Sequence, residues 1–293
     1  MRAGLALLAL AAIAPGCAQG GSDQVTPAGG QQQPLDAPPA RALDSYASKL
    51  GAAHAARVAA AHRWGLKDIP PAAPPAPEDK PRIRTREGFE VAGHRESDLP
   101  PVFTRIPTRD KVVFLTIDDG AEKDRAFLRM MSDLDVPYSA FLSGYLVKDN
   151  PRYFRKMQAR GVVLNNHTLH HPYLPGLSYR AQKREICGMQ RYMEKRFGKR
   201  PRLFRPPYGS YNRATLRAAK ACGIAYVPLW NEEVFADRWE YREADRELRP
   251  GDIVLTHFRG PGQWKGTMPD MIRRFLNKVT AEGYAVGRLE DYL

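Results

Sequence analysis

Long apolar runs are missing from this chain. The most apolar stretch, residues 5–14 of "MRAGLALLALAAIAPGC", is far shorter than the roughly 20 residues a helix needs to cross a bilayer. Cysteine is scarce too, at three in 293 residues. Beyond Cys17 only Cys187 and Cys222 remain, so covalent bracing reduces to one pair, on stretches that read as successive helices. No glycine-rich loop follows the first strong strand candidate, which excludes a dinucleotide site of the usual kind. No aromatic–basic motif of a nucleic-acid binder is present either. The 45 basic and 32 acidic residues leave a net charge of +13, which suits an anionic partner. The bases are interleaved with acids, however, as in "EYREADRELRP", the pattern of a solvated face rather than a polyanion groove.

Proline and glycine are plentiful, at 25 and 24, and their excess lies in the first third. With 43% hydrophobic residues, the chain can bury one domain of about 200 residues plus extensions. Residues 1–17 have the plan of a secretory signal: Arg2, an apolar run, then small residues up to Cys17. The placement of Cys17 resembles a bacterial lipoprotein cleavage site, with that cysteine as the lipidated residue, although Ala14 and Pro15 depart from the pattern. Residues 18–83 read as a low-complexity tether. It begins with a Gly, Ser, Gln and Pro segment that has almost nothing to bury. One helix is expected over residues 41–64, with Leu43, Tyr46 and Leu50 on one side, ended by Gly65 and Pro70. A stiff proline-rich spacer follows, and the domain is expected to run over residues 84–293.

From Lys111 onward, short apolar runs alternate with helix-like stretches. The strand candidates are "VVFLTI", "YSAFLS", "VVLNN", "RLFRP", "YVPLW", "DIVLTH" and "YAVGRL". Most are continuously apolar, as strands covered on both faces are. Asn150-Pro151 reads as a helix cap with proline at the first helical position, and Asn212 as a second cap. Gly223 and Gly283 read as helix ends, the latter for a helix that starts near Met268. About seven alternations predict an α/β fold, a distorted, incomplete (β/α) barrel of about seven strand–helix units.

Ligands bind at the carboxyl ends of such strands. Asp118-Asp119-Gly120 follows "VVFLTI". The triplet alone is a common turn, but adjacent carboxylates leaving a strand point in different directions, so one can ligate a metal while the other serves as a base. The segment "VLNNHTLHHP" holds three of the chain's seven histidines. Pro172 disfavours helical geometry at His171, and spacing leaves His167/His170 and His167/His171 equally open as ligand pairs. Arg205 stands at the mouth of a loop that Pro206 and Pro207 make rigid. His257 ends "DIVLTH"; alone it is an ordinary packing residue.

Taken in series, these motifs resemble the polysaccharide deacetylases of the NodB-homology type, carbohydrate esterase family four, over residues 112–293. "LTIDDG" is similar to that family's T-F-D-D-G, "NNHTLHHP" to N-H-[ST]-x-x-H, "FRPPYG" to R-x-P-Y-G and "IVLTH" to [IV]-x-L-x-H. The resemblance implies a divalent metal, zinc being the best fit, on Asp119, His167 and His171, with His170 at the variable position. It implies Asp118 as general base, Arg205 as its partner, and His257 as the acid that protonates the departing amine. Tyr208, after Pro207, would offer its backbone N–H to the oxyanion, and Leu255 would line the pocket for the acetyl methyl.

The departures are Ile117, Ala121, and Val162 and Val163, none of them a reacting group, and a fourth motif that is altered. The family's Asp-Trp pair, which supports the acid histidine and walls the pocket, has its nearest match in Asp237 and Trp239, split by Arg238; Glu232 or Glu233 is the substitute. The expected activity is a metal-dependent N-deacetylase of N-acetylated sugars in a cell-envelope polysaccharide such as peptidoglycan. It would stand lipid-anchored on the outer face of the cell membrane or be secreted, with no nucleic-acid partner. An O-acetyl esterase on a polysaccharide such as xylan, or a non-catalytic glycan binder on the same fold, are the alternatives.

Overall fold

A computed structural model of the chain describes residues 40–92 and 99–293. The signal-like segment, Cys17 and the first third of the expected tether, residues 18–39, lie outside the described residues. Helix α1 covers Ala40–Arg63, close to the bounds read from sequence. No helix among the described residues is long and apolar enough to cross a membrane.

The sheet is organised around β2 (Val112–Asp119), which is buried at every position because neighbours and helices cover both its faces. Strand β3 (Ser139–Leu142) pairs parallel on one side, and β4 (Val163–Asn166) continues beyond it. On the other side β8 (Ile253–His257) pairs with the carboxyl half of β2, while β9 (Ala285–Gly287) pairs with its first residues. Next to β8 come β6 (Glu232–Val234) and an antiparallel β7 (Trp239–Tyr241). The short β1 (Val102–Phe103) and β5 (Val227–Pro228) form a separate parallel pair. Single bridges, Asn166 to Phe204 and Leu203 to Tyr226, link β4 toward β5. The result is an α/β fold in which an expected strand, "RLFRP", is reduced to isolated bridges and the ring of strands is incomplete. Strands β1, β6 and β7 were not foreseen; at two or three residues each they are too short for periodicity to register.

The helices begin where the sequence punctuates them. Asn150 caps α4 (Pro151–Gln158) through its side chain, and Asn212 forms a reciprocal capping box with Thr215 at α6 (Arg213–Ala221). Thr267 and Asp270 do the same for α7 (Met268–Ala281). Asp124 caps α2 (Arg125–Asp133), and α5 (Tyr179–Phe197) ends on left-handed Gly198, φ 76°. A one-turn α3 (Gly144–Val147) follows β3. Cys187 of α5 and Cys222, the C-cap of α6, form a disulfide.

The start expected at residue 84 is displaced by the structure. Ala60, Ala61 and Leu66 are buried in the main core, with Trp64 and Ile69 packed against it. Arg63 and Trp64 both donate to Asp133 of α2, at 2.8 and 2.9 Å, and Arg273 of α7 donates to the Trp64 carbonyl at 2.8 Å. The expected helix lay within a low-complexity tether, yet its small side chains let it approach the core closely. One compact unit spans Ser48–Leu293.

Candidate active site

Four loops at the carboxyl ends of the strands build the site. Asp118 and Asp119 end β2, and both are 2% exposed. Asp119 has φ 81° and Gly120 φ 95°, so the chain turns sharply as it leaves the sheet. A side chain at Gly120 would collide with Val147 at 2.8 Å; only glycine lets this turn pass beneath α3. Thr168, His171 and Tyr208 also have positive φ, at 70°, 58° and 61°. Such backbone costs of order 1–3 kcal/mol per residue and gathers at functional sites.

The histidine turn follows β4. Asn166 accepts from the Thr168 N–H at 2.9 Å, and Thr168 accepts from the His171 N–H at 3.0 Å. This brings His171 back beside His167, ring centres 4.8 Å apart, and sends His170 outward. Glu185 of α5 takes both the backbone N–H and the ring of His170, each at 2.9 Å. The His167 Nδ1–H donates to the Arg205 carbonyl at 2.7 Å, leaving Nε2 bare toward Asp119. Asp119 Oδ1 is 3.6 Å from His167 Nε2 and 3.4 Å from His171 Nε2. It is buried without a hydrogen-bond partner. Burial pushes the His167 ring down to about 3 and lowers His171 too, despite the opposing charge of Asp119. Two neutral imidazoles and an orphaned carboxylate oxygen, all ligand atoms within 4.8 Å of one another, fit a divalent cation. No hydrogen bond among the described residues uses Asp119 Oδ1, and the His167 nitrogen facing it has no proton to give.

Asp118 takes a different partner. Arg205, fully buried, donates to its Oδ1 at 2.8 Å and to Thr116 at 2.9 Å. The rest of the guanidinium is spent on the carbonyls of Pro228 (2.9 Å) and Leu229 (3.3 Å), and the plane lies over Phe141 at 4.3 Å. Burial raises the Asp118 carboxyl above its ordinary range, while the charges of Arg205 and His257 and the Arg205 hydrogen bond pull it back. Pro207 is buried, and Tyr208 beyond it is 66% exposed with its ring 4.7 Å from His171.

His257 ends β8 in register with Asp118. Its Nδ1 lies 3.1 Å from Glu233 of β6. Burial lowers its basicity, but the hydrogen bond to Glu233 and the charges of Asp118, Asp119 and Glu233 outweigh that, so the ring is held more basic than usual. Leu255, two residues earlier and buried, lies in register with Glu233.

The fourth motif differs from its nearest sequence match. Asp237 is exposed and pairs with Arg238 at 3.2 Å, and Trp239 stacks on Phe275 of α7 at 6.0 Å. Neither is the partner of His257. Burial, and then the Asp252 carboxylate beside it, pushes Glu232 up to about 9. Sequence reasoning missed Arg259 altogether. Its Nη2 donates to Asp119 Oδ2 at 2.5 Å, and its position two residues past His257 was the available signal.

Residues 105–227 match the polysaccharide deacetylase family. An uncharacterized Streptomyces coelicolor protein is 41% identical over 198 residues, covering 67% of this chain and 78% of its own. A Bacillus cereus peptidoglycan-N-acetylglucosamine deacetylase is 30% identical over 199 residues, 64% of this chain and 91% of its own. The chain belongs to the polysaccharide deacetylase family. Solved structures agree in fold. A peptidoglycan N-acetylglucosamine deacetylase aligns over 66% of this chain and 92% of its own, at 23% identity and a TM-score of 0.57. A Bacillus anthracis family 4 carbohydrate esterase aligns over 70% and 94%, at 23% identity and 0.55. In this deacetylase-family chain, the four strand-end motifs that carried the resemblance converge on one site.

Proposed function

We propose that this chain is a metal-dependent hydrolase that removes N-acetyl groups from sugars of a cell-envelope polysaccharide such as peptidoglycan. The observation that carries the reading is the orphaned Asp119 Oδ1 between two imidazole nitrogens, beside a carboxylate with its own arginine and a histidine with its own glutamate. Asp119, His167 and His171 would hold the metal; zinc suits two neutral imidazoles and one carboxylate. Bound there, it supplies Lewis acidity to the acetamide carbonyl. Asp118 accepts the proton of the attacking water, since its raised pKa brings it nearer the pH of the reaction. Arg205 fixes the direction of that carboxylate. His257 is kept protonated by Glu233 and gives its proton to the leaving sugar nitrogen, without which the C–N bond would have to expel an amide anion. Tyr208, through its backbone N–H, and Leu255 serve the oxyanion and the acetyl methyl.

The substrate class draws support from relatives named as peptidoglycan-N-acetylglucosamine and peptidoglycan-N-acetylmuramic acid deacetylases. A place outside the cytoplasm, with Cys17 as lipid anchor, draws support from the signal-like residues 1–17 and from a disulfide, which persists in oxidising compartments. A relative named as a bifunctional xylanase/xylan deacetylase, 26% identical over 186 residues, keeps an ester substrate as the second reading.

The test is acetate release by the full chain from peptidoglycan, N-acetylglucosamine oligomers and acetylated xylan, beside Asp118→Asn. Release from an N-acetylated polymer by the parent alone upholds the proposal. Release from xylan alone moves it to esters, and no release with metal bound moves it to glycan binding. His171→Ala should lose the metal and His170→Ala should keep it; equal loss in both would sink the ligand assignment.

A further inference from the structure

Asp119 has two oxygens, and they face different partners. Oδ1 turns to the histidines and has no hydrogen bond. Oδ2 is taken by Arg259 Nη2 at 2.5 Å. That guanidinium is not a loose surface group, since only 28% of its side chain is exposed. Its Nη1 donates to Gln263 Oε1 at 3.2 Å. The loop between them is closed by the N–H groups of Gln263 and Trp264, both donating to the Gly260 carbonyl at 2.9 Å. Gly260 is pressed against Glu122, whose carboxylate oxygen would meet an added Cβ at 2.4 Å. Each acid of the pair therefore has its own arginine: Asp118 has Arg205, and Asp119 has Arg259.

Resting on the metal-dependent reading above, we infer that Arg259 is a positioning residue that makes Asp119 a one-oxygen ligand and so keeps a coordination position free for substrate. A carboxylate with both oxygens available beside a divalent cation can close on it with both. A charge-assisted hydrogen bond to one oxygen prevents that. The same positive charge opposes the cation across the shared carboxylate, so Arg259 weakens metal binding while preserving the open site that catalysis needs. Lysine cannot substitute fully, because one ammonium lacks the planar fork that reaches Asp119 and Gln263 together.

This role has an unusual signature: removing Arg259 should tighten the metal and slow the enzyme. Metal-free full chain is titrated with zinc against a competing chelator, for the parent, Arg259→Ala, Arg259→Gln and Arg259→Lys, and kcat and KM for acetate release are measured on the same preparations. Arg259→Ala and Arg259→Gln should bind zinc about tenfold more tightly. Their kcat should fall about ten- to a hundredfold, with KM changing less, and Arg259→Lys should recover part of both. A purely structural role would lower affinity and kcat together, and that result in a variant that melts with the parent would overturn the inference. Unchanged affinity would overturn it as well. A parent that binds no zinc would instead overturn the metal-dependent reading, and this inference with it.

Discussion

Replacing Arg205 by methionine tests the electrostatic centre of the site without touching a metal ligand. The guanidinium is fully buried and meets Asp118, Thr116, Pro228 and Leu229. Methionine keeps most of the length and the packing on Phe141 but none of the charge. It leaves Asp118, 2% exposed, as an uncompensated buried carboxylate, a loss worth about 3–5 kcal/mol. The two abandoned carbonyls push toward the upper end of that range. Against a total stability of about 5–15 kcal/mol, this is large but survivable. The metal-free chain should be unfolded in urea at several pH values. Folded Asp118 already binds its proton more tightly than the ordinary carboxylate value of 3.8. Stability therefore falls as pH rises from that value through the raised one, and without Arg205 the fall continues to higher pH. The deficit of Arg205→Met should shrink toward pH 5 and widen toward pH 8. Adding Asp118→Asn removes the stranded charge, so the double variant should regain about 2–3 kcal/mol over the single one. A double variant as unstable as Arg205→Met would refute the reasoning, because the cost would then lie in packing and not in charge.

Three further expectations follow from the same geometry. Glu233→Gln removes a group that holds His257 protonated, so the alkaline limb of the kcat/KM profile should move to lower pH, while Asp237→Asn should leave it in place; the reverse pattern would restore Asp237 as the partner. A chain beginning at residue 84 loses the burial of Ala60, Ala61 and Leu66 and the Trp64 contacts. It should be about 5 kcal/mol less stable than one beginning at residue 48, and equal denaturation midpoints would show that the preceding segment is dispensable. Reducing Cys187–Cys222, which closes a separation of 35 residues, should cost about 4 kcal/mol by loop entropy, measured as a shift in urea midpoint between oxidised and reduced protein. A shift under about 1 kcal/mol would mean the α5–α6 contact holds without it.

What the sequence could reveal was what is local. Asn150, Asn212 and the apolar runs act over three or four residues, so their caps and strands were legible. The histidine pair was not, because i+3 and i+4 are equivalent until the backbone is known. The left-handed residues Thr168 and His171 and the waiting carboxylate of Glu185 on α5 decide which ring turns outward. Glu233 was only one of three candidates, with Glu232 and Asp237, for a similar reason. It reaches His257 because β6 lies beside β8 with Glu233 in register with Leu255, a relation between strands some 20 residues apart in sequence. Asp237, the nearer match by motif, is carried away by the β6–β7 hairpin, in which Val234 pairs with Trp239.

The division of labour between Asp118 and Asp119 also depends on elements distant in sequence. Adjacent on one strand, the two acids begin chemically equivalent, and close like charges would ordinarily force one of them to keep its proton. Here Arg205 approaches one from the loop before α6, and Arg259 approaches the other from the loop after β8. Two buried carboxylates are thus matched by two guanidiniums, with the imidazoles of His167 and His171 kept neutral at pH 7 by burial. This part of the site is close to electrically balanced on its own. On the proposed reading, a divalent cation added to that balance leaves excess positive charge where an acyl-transfer transition state gathers negative charge on oxygen. The paired arginines would then do more than hold two side chains in place. They would keep the acid pair from cancelling the charge on which the proposed catalysis depends.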